Sequence, residues 1–293
     1  MHAVSRPIRK ILVPVHHSAG NASALMTALL TARVWNAHVA VLHVVVDVAA
    51  MAGLAGEGLA GAISEEIIVE TREESARGPG SVRTLFERAI DEQGVLLAEP
   101  KPGQQRATAS FTVSTGQEEE LVAAQARLAD LTVVPHPQAT GSAAWVDVLH
   151  AVLFNSGRPV LLAPERCPKA IGERICIAWN GTAESASGVA AALPWLKLAK
   201  AVRVLTALGY QRRGPSAQEL APYLSLHGVA AELATFQPVN GVVGAGLLAA
   251  AAEFGADLLA TGAYSHSRFR QRILGGVTRH VLGHARLPVL MSR

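Results

Sequence analysis

The chain repeats itself, and the repeat limits the kind of fold it can adopt. Ile11-Leu12-Val13-Pro14-Val15-His16-His17-Ser18 is echoed by Ile175-Cys176-Ile177-Ala178-Trp179-Asn180-Gly181-Thr182. Each is an apolar run that ends in a polar turn and leads into an Ala-rich stretch. Val39-Ala40-Val41-Leu42-His43-Val44 is echoed by Val202-Arg203-Val204-Leu205-Thr206-Ala207, and Ala129-Asp130-Leu131 by Ala256-Asp257-Leu258. Arg158-Pro159-Val160-Leu161-Leu162 matches Leu287-Pro288-Val289-Leu290-Met291 in the same way. Landmarks that recur in one order make two copies of a single unit. The 293 residues suit two such units. The copies meet near Ala163-Pro164-Glu165-Arg166-Cys167-Pro168, whose prolines fit a linker, so the expected domains are 1–165 and 170–293.

The apolar runs are short and continuous, as in strands buried on both faces of a parallel sheet. Between them lie Ala/Leu-rich stretches at helical spacing, such as Ser185 to Leu198 and Leu247 to Phe254. Strands alternating with helices imply right-handed crossovers and a doubly wound α/β sheet. Ligands of such sheets sit at the carboxyl ends of the strands. The turns after Val15, Trp179 and Thr261 are therefore the places to search.

Composition closes off several classes. Half of the residues are hydrophobic and 17% are charged, which excludes a disordered chain. A net charge of +3 is too small to argue for nucleic acid. The arginines Arg268, Arg270 and Arg272 have only Tyr264 and Phe269 among them, sparse for base stacking, so no nucleic-acid partner is expected. The two cysteines, Cys167 and Cys176, form no CxxC pair, and a reducing cytoplasm is the expected location. The N-terminal apolar run lacks a small-residue cleavage site and reads as a strand, not a signal peptide. The most apolar region, Val39 to Ile63, is broken by His43, Asp47 and Glu57 and by four glycines, so no membrane span is expected.

The most informative segment is near the C-terminus. A strand, Ala256 to Thr261, runs into Gly262-Ala263-Tyr264-Ser265-His266-Ser267-Arg268. Gly275-Gly276-Val277-Thr278 then opens a helix through His284, and a last strand spans Pro288 to Met291. Glycines let backbone N–H groups approach a phosphate, and a helix N-terminus adds unpaired donors and partial positive charge. Ser267, Thr278 and Arg268 offer side-chain donors, and His266 lies beside them. The same pattern also describes a tight strand-to-helix turn with a solvated basic face.

This segment resembles the nucleotide motif of the universal stress protein family: Gly, two residues, Gly, nine residues, Gly, then Ser or Thr. Gly262, Ser265, Gly275 and Gly276 stand at its positions, with Val277 and Thr278 following. Ala178-Trp179-Asn180-Gly181 is similar to the end of the family's first strand. The resemblance covers nearly the whole chain, in a tandem form. It implies an α/β fold of two tandem doubly wound parallel-sheet domains, Rossmann-like and adenine nucleotide alpha hydrolase-like, packed as a pseudo-dimer. The last strands, Val160-Leu161-Leu162 and Val289-Leu290-Met291, would pair, and a homodimer through such strands is the partner it implies. It also implies a non-catalytic regulatory stress protein that binds ATP or another adenine nucleotide with Mg²⁺, with at most slow incidental hydrolysis. Ala178, Trp179 and Asn180 would line the adenine and ribose, and Ala207 would flank the base. Thr261 and Gly262 would touch ribose and phosphate, and Gly275, Gly276, Val277 and Thr278 would hold the phosphates. Ser265, His266, Ser267 and Arg268 would complete the loop.

Three departures from the motif matter. Ser265 replaces a glycine, at a cost of about 1 kcal/mol if that position needs φ > 0. Gly276 removes a hydroxyl donor but keeps its N–H. Asn180 stands where Asp is more common, and an amide still hydrogen-bonds a ribose hydroxyl. The first copy departs further: Pro135-His136-Pro137 replaces the glycine turn, and His16 occupies the acidic position. Proline lacks the N–H a phosphate needs, so this copy is not expected to bind ATP in the family manner. Its role is then structural, or regulatory through another ligand. The competing reading is a stress scaffold without nucleotide, acting through protein–protein contacts or another small ligand.

Other motifs read as structural. Gly244-Ala245-Gly246-Leu247-Leu248-Ala249 fits a dinucleotide fingerprint, but the segment upstream, Gln237 to Asn240, reads as a loop, so a crossover helix is expected instead. His280 and His284 are a helical turn apart without a third ligand, so no metal is expected. Trp179 reads as a core-edge residue or as a stacking surface for adenine. Asp257 reads as a capping residue, and Cys176 as a buried, inert thiol. There is no G-x-S-x-G elbow, no Walker A sequence and no pair of carboxylates, so no catalytic residue is expected.

Overall fold

The computed structural model describes residues 8–15, 21–45, 80–137, 143–210, 214–263 and 276–293. The first copy runs β1 (Lys10–Val15), α1 (Asn21–Trp35), β2 (His38–Val45), α2 (residues 80–93), β3 (Leu96–Leu97), β4 (Thr108–Thr115), α3 (Glu118–Ala126), β5 (Leu131–Pro135), α4 (Ala143–Asn155) and β6 (Val160–Ala163). The second runs β7 (Arg174–Ala178), α5 (Ala183–Leu196), β8 (Ala201–Ala207), α6 (Ala217–Leu226), β9 (Glu232–Phe236), α7 (Val243–Phe254), β10 (Leu258–Gly262), α8 (Gly276–His284) and β11 (Val289–Ser292).

All eleven strands lie in one sheet, in the order β3-β4-β2-β1-β5-β6-β11-β10-β7-β8-β9. Pairing is parallel within each copy. Where the copies meet, β6 and β11 run antiparallel, with Leu162 opposite Val289, Leu161 opposite Leu290 and Val160 opposite Met291.

The register carries the repeat into space. Ile11 lies between Val39 and Leu131, as Ile175 lies between Val202 and Leu258. Both faces of the central strands are covered, so their side chains alternate between two apolar layers. Ile11, Val13, Ile175, Ile177, Leu161 and Leu290 face the layer closed by α1, α2, α5 and α6. Leu12, Cys176, Leu162, Val289 and Met291 face the layer closed by α3, α4, α7 and α8. Each layer is continuous through both copies, and Trp35 of α1 meets Trp195 of α5 edge-on at 5.5 Å across the junction.

One device is repeated at the strand openings. Asp130 Oδ2 accepts from the N–H groups of Arg9 and Lys10 at 2.8 and 3.0 Å. Asp257 accepts from Gly172, Glu173 and Arg174, each at 3.0 Å. Asp257 is thus the capping residue the sequence indicates. The element bounds shift from expectation: α5 opens at Ala183, α7 at Val243, and the last two strands span Leu258–Gly262 and Val289–Ser292. No helix among the described residues is long and apolar enough to cross a membrane. His16, His17 and, from the apolar region Val39 to Ile63, residues 46–63 lie outside the described residues.

Candidate functional site

The carboxyl ends of β7, β8 and β10 open on a cavity of about 450 Å³, within the range of small-molecule sites. It lies where the sheet order reverses between β10 and β8 across β7, the position a doubly wound sheet reserves for ligands.

The floor comes from the strand ends. Ala178 closes β7, and Trp179 follows it, 7% exposed, its indole N–H donating to the Pro215 carbonyl at 2.9 Å. Trp179 is therefore a core-edge residue that also forms part of the cavity wall. Asn180 Oδ1 accepts from both the backbone N–H and the hydroxyl of Thr182, at 3.2 and 2.9 Å. Thr182 in turn caps α5 by accepting from the Ser185 N–H. The Asn180 amide is thereby fixed at the cavity edge, and its NH₂ makes no hydrogen bond with a described residue.

Gly262 ends β10 against the first turn of α5. A Cβ on it would lie 2.3 Å from the Glu184 carbonyl carbon, and one on Gly188 would lie 2.7 Å from the Thr261 carbonyl carbon. These two glycines let helix and strand touch backbone to backbone. They bring the α5 N-terminus beside Thr261, whose hydroxyl donates to the Gly262 carbonyl. Gly276, Val277 and the buried Thr278 face them from the first turn of α8. The N-termini of α5, α7 and α8 thus all border the cavity and favour negative charge there, with the Glu184 carboxylate opposing it. On the other side of β7 the lining is apolar, with Leu205 and Ala207 from β8 and Phe236 from β9.

Nine predicted residues are brought together here: Ala178, Trp179, Asn180, Ala207, Thr261, Gly262, Gly276, Val277 and Thr278. Ser265, His266, Ser267, Arg268 and Gly275 lie outside the described residues. Sequence reasoning passed over Thr182, Glu184 and Ser185 at the α5 opening, and Phe236, Val242, Val243 and Leu247 after β9. No chemical motif marks Phe236, Val242 or Val243; their place at and beyond the carboxyl end of β9 brings them to the cavity.

The first copy offers different groups at the matching positions. The registers place Pro14 where the second copy has Ala178, His43 where it has Thr206, and Pro135 where it has Gly262. His43 is 3% exposed and its Nδ1 meets the Val15 carbonyl at 2.9 Å.

The other motifs resolve as packing. Gly244 and Gly246 lie inside α7, where a Cβ would meet His280 Cβ at 2.5 Å and the Gln237 carbonyl at 2.2 Å. They serve close helix contacts, as the crossover-helix reading expects. His280 and His284 stack face to face at 4.1 Å. Among the described residues no three His, Cys, Asp or Glu side chains gather in a way that could hold a metal. Cys176 is fully buried and its thiol is pushed up to about 12 by burial.

Fold and cavity together define a class: a tandem doubly wound α/β protein with a ligand-sized pocket at the strand ends of its second copy. The sequence model of the universal stress protein family matches residues 7–164 and again 173–293. The chain belongs to the universal stress protein family, with two such domains in tandem. A solved universal stress protein from Archaeoglobus fulgidus DSM 4304 is 13% identical, with a TM-score of 0.66 over 97% of this chain and 96% of its own. A putative universal stress protein from Pseudomonas aeruginosa UCBPP-PA14 is 17% identical, with a TM-score of 0.55 over 98% of this chain and 94% of its own. At these identities the likeness is one of fold. The search of curated proteins gave no match.

Proposed function

We propose that this chain is a non-catalytic regulatory stress protein whose second copy, residues 170–293, binds ATP or another adenine nucleotide. The first copy, residues 1–165, does not bind one in the family manner. The observation that carries the reading is the cavity of about 450 Å³ with its two unlike ends. An apolar end bounded by Ala207, Leu205 and Phe236 suits a base. An end bordered by Asn180, Thr261, Thr278 and two helix N-termini suits ribose hydroxyls and phosphates. Mg²⁺ would arrive on the phosphates, with Glu184 the one carboxylate among the lining residues. Ser185 and Thr261 spend their hydroxyls on backbone carbonyls, which suits holding a ligand rather than attacking it. In the first copy Pro135 supplies no N–H and His43 is packed onto β1, which supports a copy without nucleotide.

Titration calorimetry of nucleotide-stripped protein with ATP and Mg²⁺ tests this. One nucleotide per chain is expected, with binding lost in Asn180→Ala. Two per chain would give the first copy a site. No heat at millimolar ATP would transfer the proposal to a stress scaffold acting through protein contacts or another small ligand.

A further inference from the structure

A second cavity, of about 660 Å³, lies at the junction of the two copies and is built by both. His136 follows β5 of the first copy. Glu165 and Arg166 belong to the segment connecting the copies. His284 and Arg286 come from the turn between α8 and β11. None of these residues takes part in the nucleotide-type cavity.

Its walls carry an imbalance of charge. Two guanidinium groups stand against one carboxylate, with the imidazoles of His136 and His284 as further polar lining. Arg166 and Arg286 are exposed, and neither makes a hydrogen bond or ion pair with a described residue. Glu165 neutralises neither. The C-terminus of α8 would oppose an anion through its free carbonyls. The first of those carbonyls, and the one before it, are already engaged. The Val281 carbonyl accepts from the Ala285 N–H and meets His136 Nε2 at 3.0 Å, and the His280 carbonyl meets His284 Nδ1 at 3.0 Å. His136 is 3% exposed, so this bond between copies is a fixed part of the wall. A fixed polar wall beside two guanidinium forks that no described residue pairs is an arrangement that can receive an oxyanion.

We propose that this junction is an oxyanion site for a small multiply charged ligand, a phosphate ester or a polycarboxylate, gripped by Arg166 and Arg286. Because Arg166 is in the connecting segment and Arg286 in the second copy, the ligand ties the connection to the second domain. Binding there stabilises the junction by mass action. The site is independent of the nucleotide reading.

Pyrophosphate and citrate are the probes, titrated against the full chain without ATP and read by calorimetry and thermal melting. Saturable binding of at least one is expected. Arg166→Gln with Arg286→Gln should weaken it at least tenfold while leaving the unliganded melt and ATP titration unchanged, since both side chains are exposed. Asn180→Ala should leave the probe's affinity as in the parent protein. A response to pyrophosphate alone assigns a phosphate ester, and a response to citrate alone a polycarboxylate. If the unliganded melt shifts, Arg166→Gln alone carries the same comparison. No saturable binding of either probe, or equal binding by the arginine variants, overturns the proposal.

Discussion

Asp257 shows how much one carboxylate can organise. It collects three backbone N–H groups from the segment that opens β7, and Asp130 does the same for β1 with two. Hydrogen bonds to a charged group each contribute about 1.5–3 kcal/mol net, fewer when half exposed. Asp257→Ala should therefore destabilise the fold by about 2–4 kcal/mol in urea unfolding, while Asp257→Asn recovers part of the loss. The thiols differ as sharply. Cys167 is exposed and Cys176 is buried with its ionisation suppressed, so a disulfide reagent at pH 8 should titrate one thiol per native chain and two after unfolding. Asn180 belongs to this scale as well. Its Oδ1 is occupied by Thr182, and Asn180→Asp replaces the NH₂ by a free carboxylate oxygen that accepts from a ribose hydroxyl. On the nucleotide reading it should tighten ATP several-fold in calorimetry. Residues tied to a chemistry, such as Asn180, Thr261 and Gly262, were legible in the sequence. Thr182, Glu184 and Ser185 were not, because the helix they open, rather than their own residue types, places them at the cavity.

Elements buried on both sides were readable for a simple physical reason: a strand between two apolar layers is apolar at most positions, with a few buried polar residues such as His43 and Thr132. The outer strands obey no such rule. In β9, Glu232 and Leu233 are both exposed, and in β4 Val113 is exposed, so a continuous apolar pattern misses them. The helix openings slipped for another reason. Gly244 and Gly246 hide the first turn of α7, being poor helix formers retained for close packing. The contact of α5 with β10 gives the sharpest test at this scale. Gly188 leaves no room for a methyl group beside Thr261 and Gly262, and the atoms it would meet are backbone. Gly188→Ala should force α5 away from the strand and cost about 1–3 kcal/mol. Because the same helix opening borders the cavity, it should weaken ATP together with stability. A control at an exposed position of the same helix, Ala190→Ser, should change neither. An unchanged urea midpoint for Gly188→Ala would show that α5 can shift freely.

The two copies share one sheet and both apolar layers, so they should unfold as one body. β6 and β11 are each flanked on both sides, β6 by β5 and β11, β11 by β6 and β10, and neither presents an edge to a second chain. Trp35 and Trp195 meet across the junction, so their fluorescence reports its opening. Circular dichroism reports the helices of both copies. The two signals should fall together in urea, and separate transitions would mean that each copy is stable alone. The junction also carries a pH dependence. Burial, reinforced by the nearby His284, lowers the pKa of His136 below its ordinary 6.5, against the opposing bond to the Val281 carbonyl. His38 is lowered by burial with Lys10 adding and Glu99 opposing, and His150 by burial with Asp147 opposing. An imidazole whose folded pKa is depressed stays neutral in the fold while the unfolded chain takes up protons. Its contribution is present above about 6.5 and is lost as the pH falls. The common midpoint should therefore drop between pH 7.5 and pH 5. His136→Gln keeps a donor for the Val281 carbonyl but cannot titrate, so it should narrow that gap. An undiminished gap would take the acid sensitivity away from His136 and leave it to the other lowered imidazoles, His38, His150 and His280.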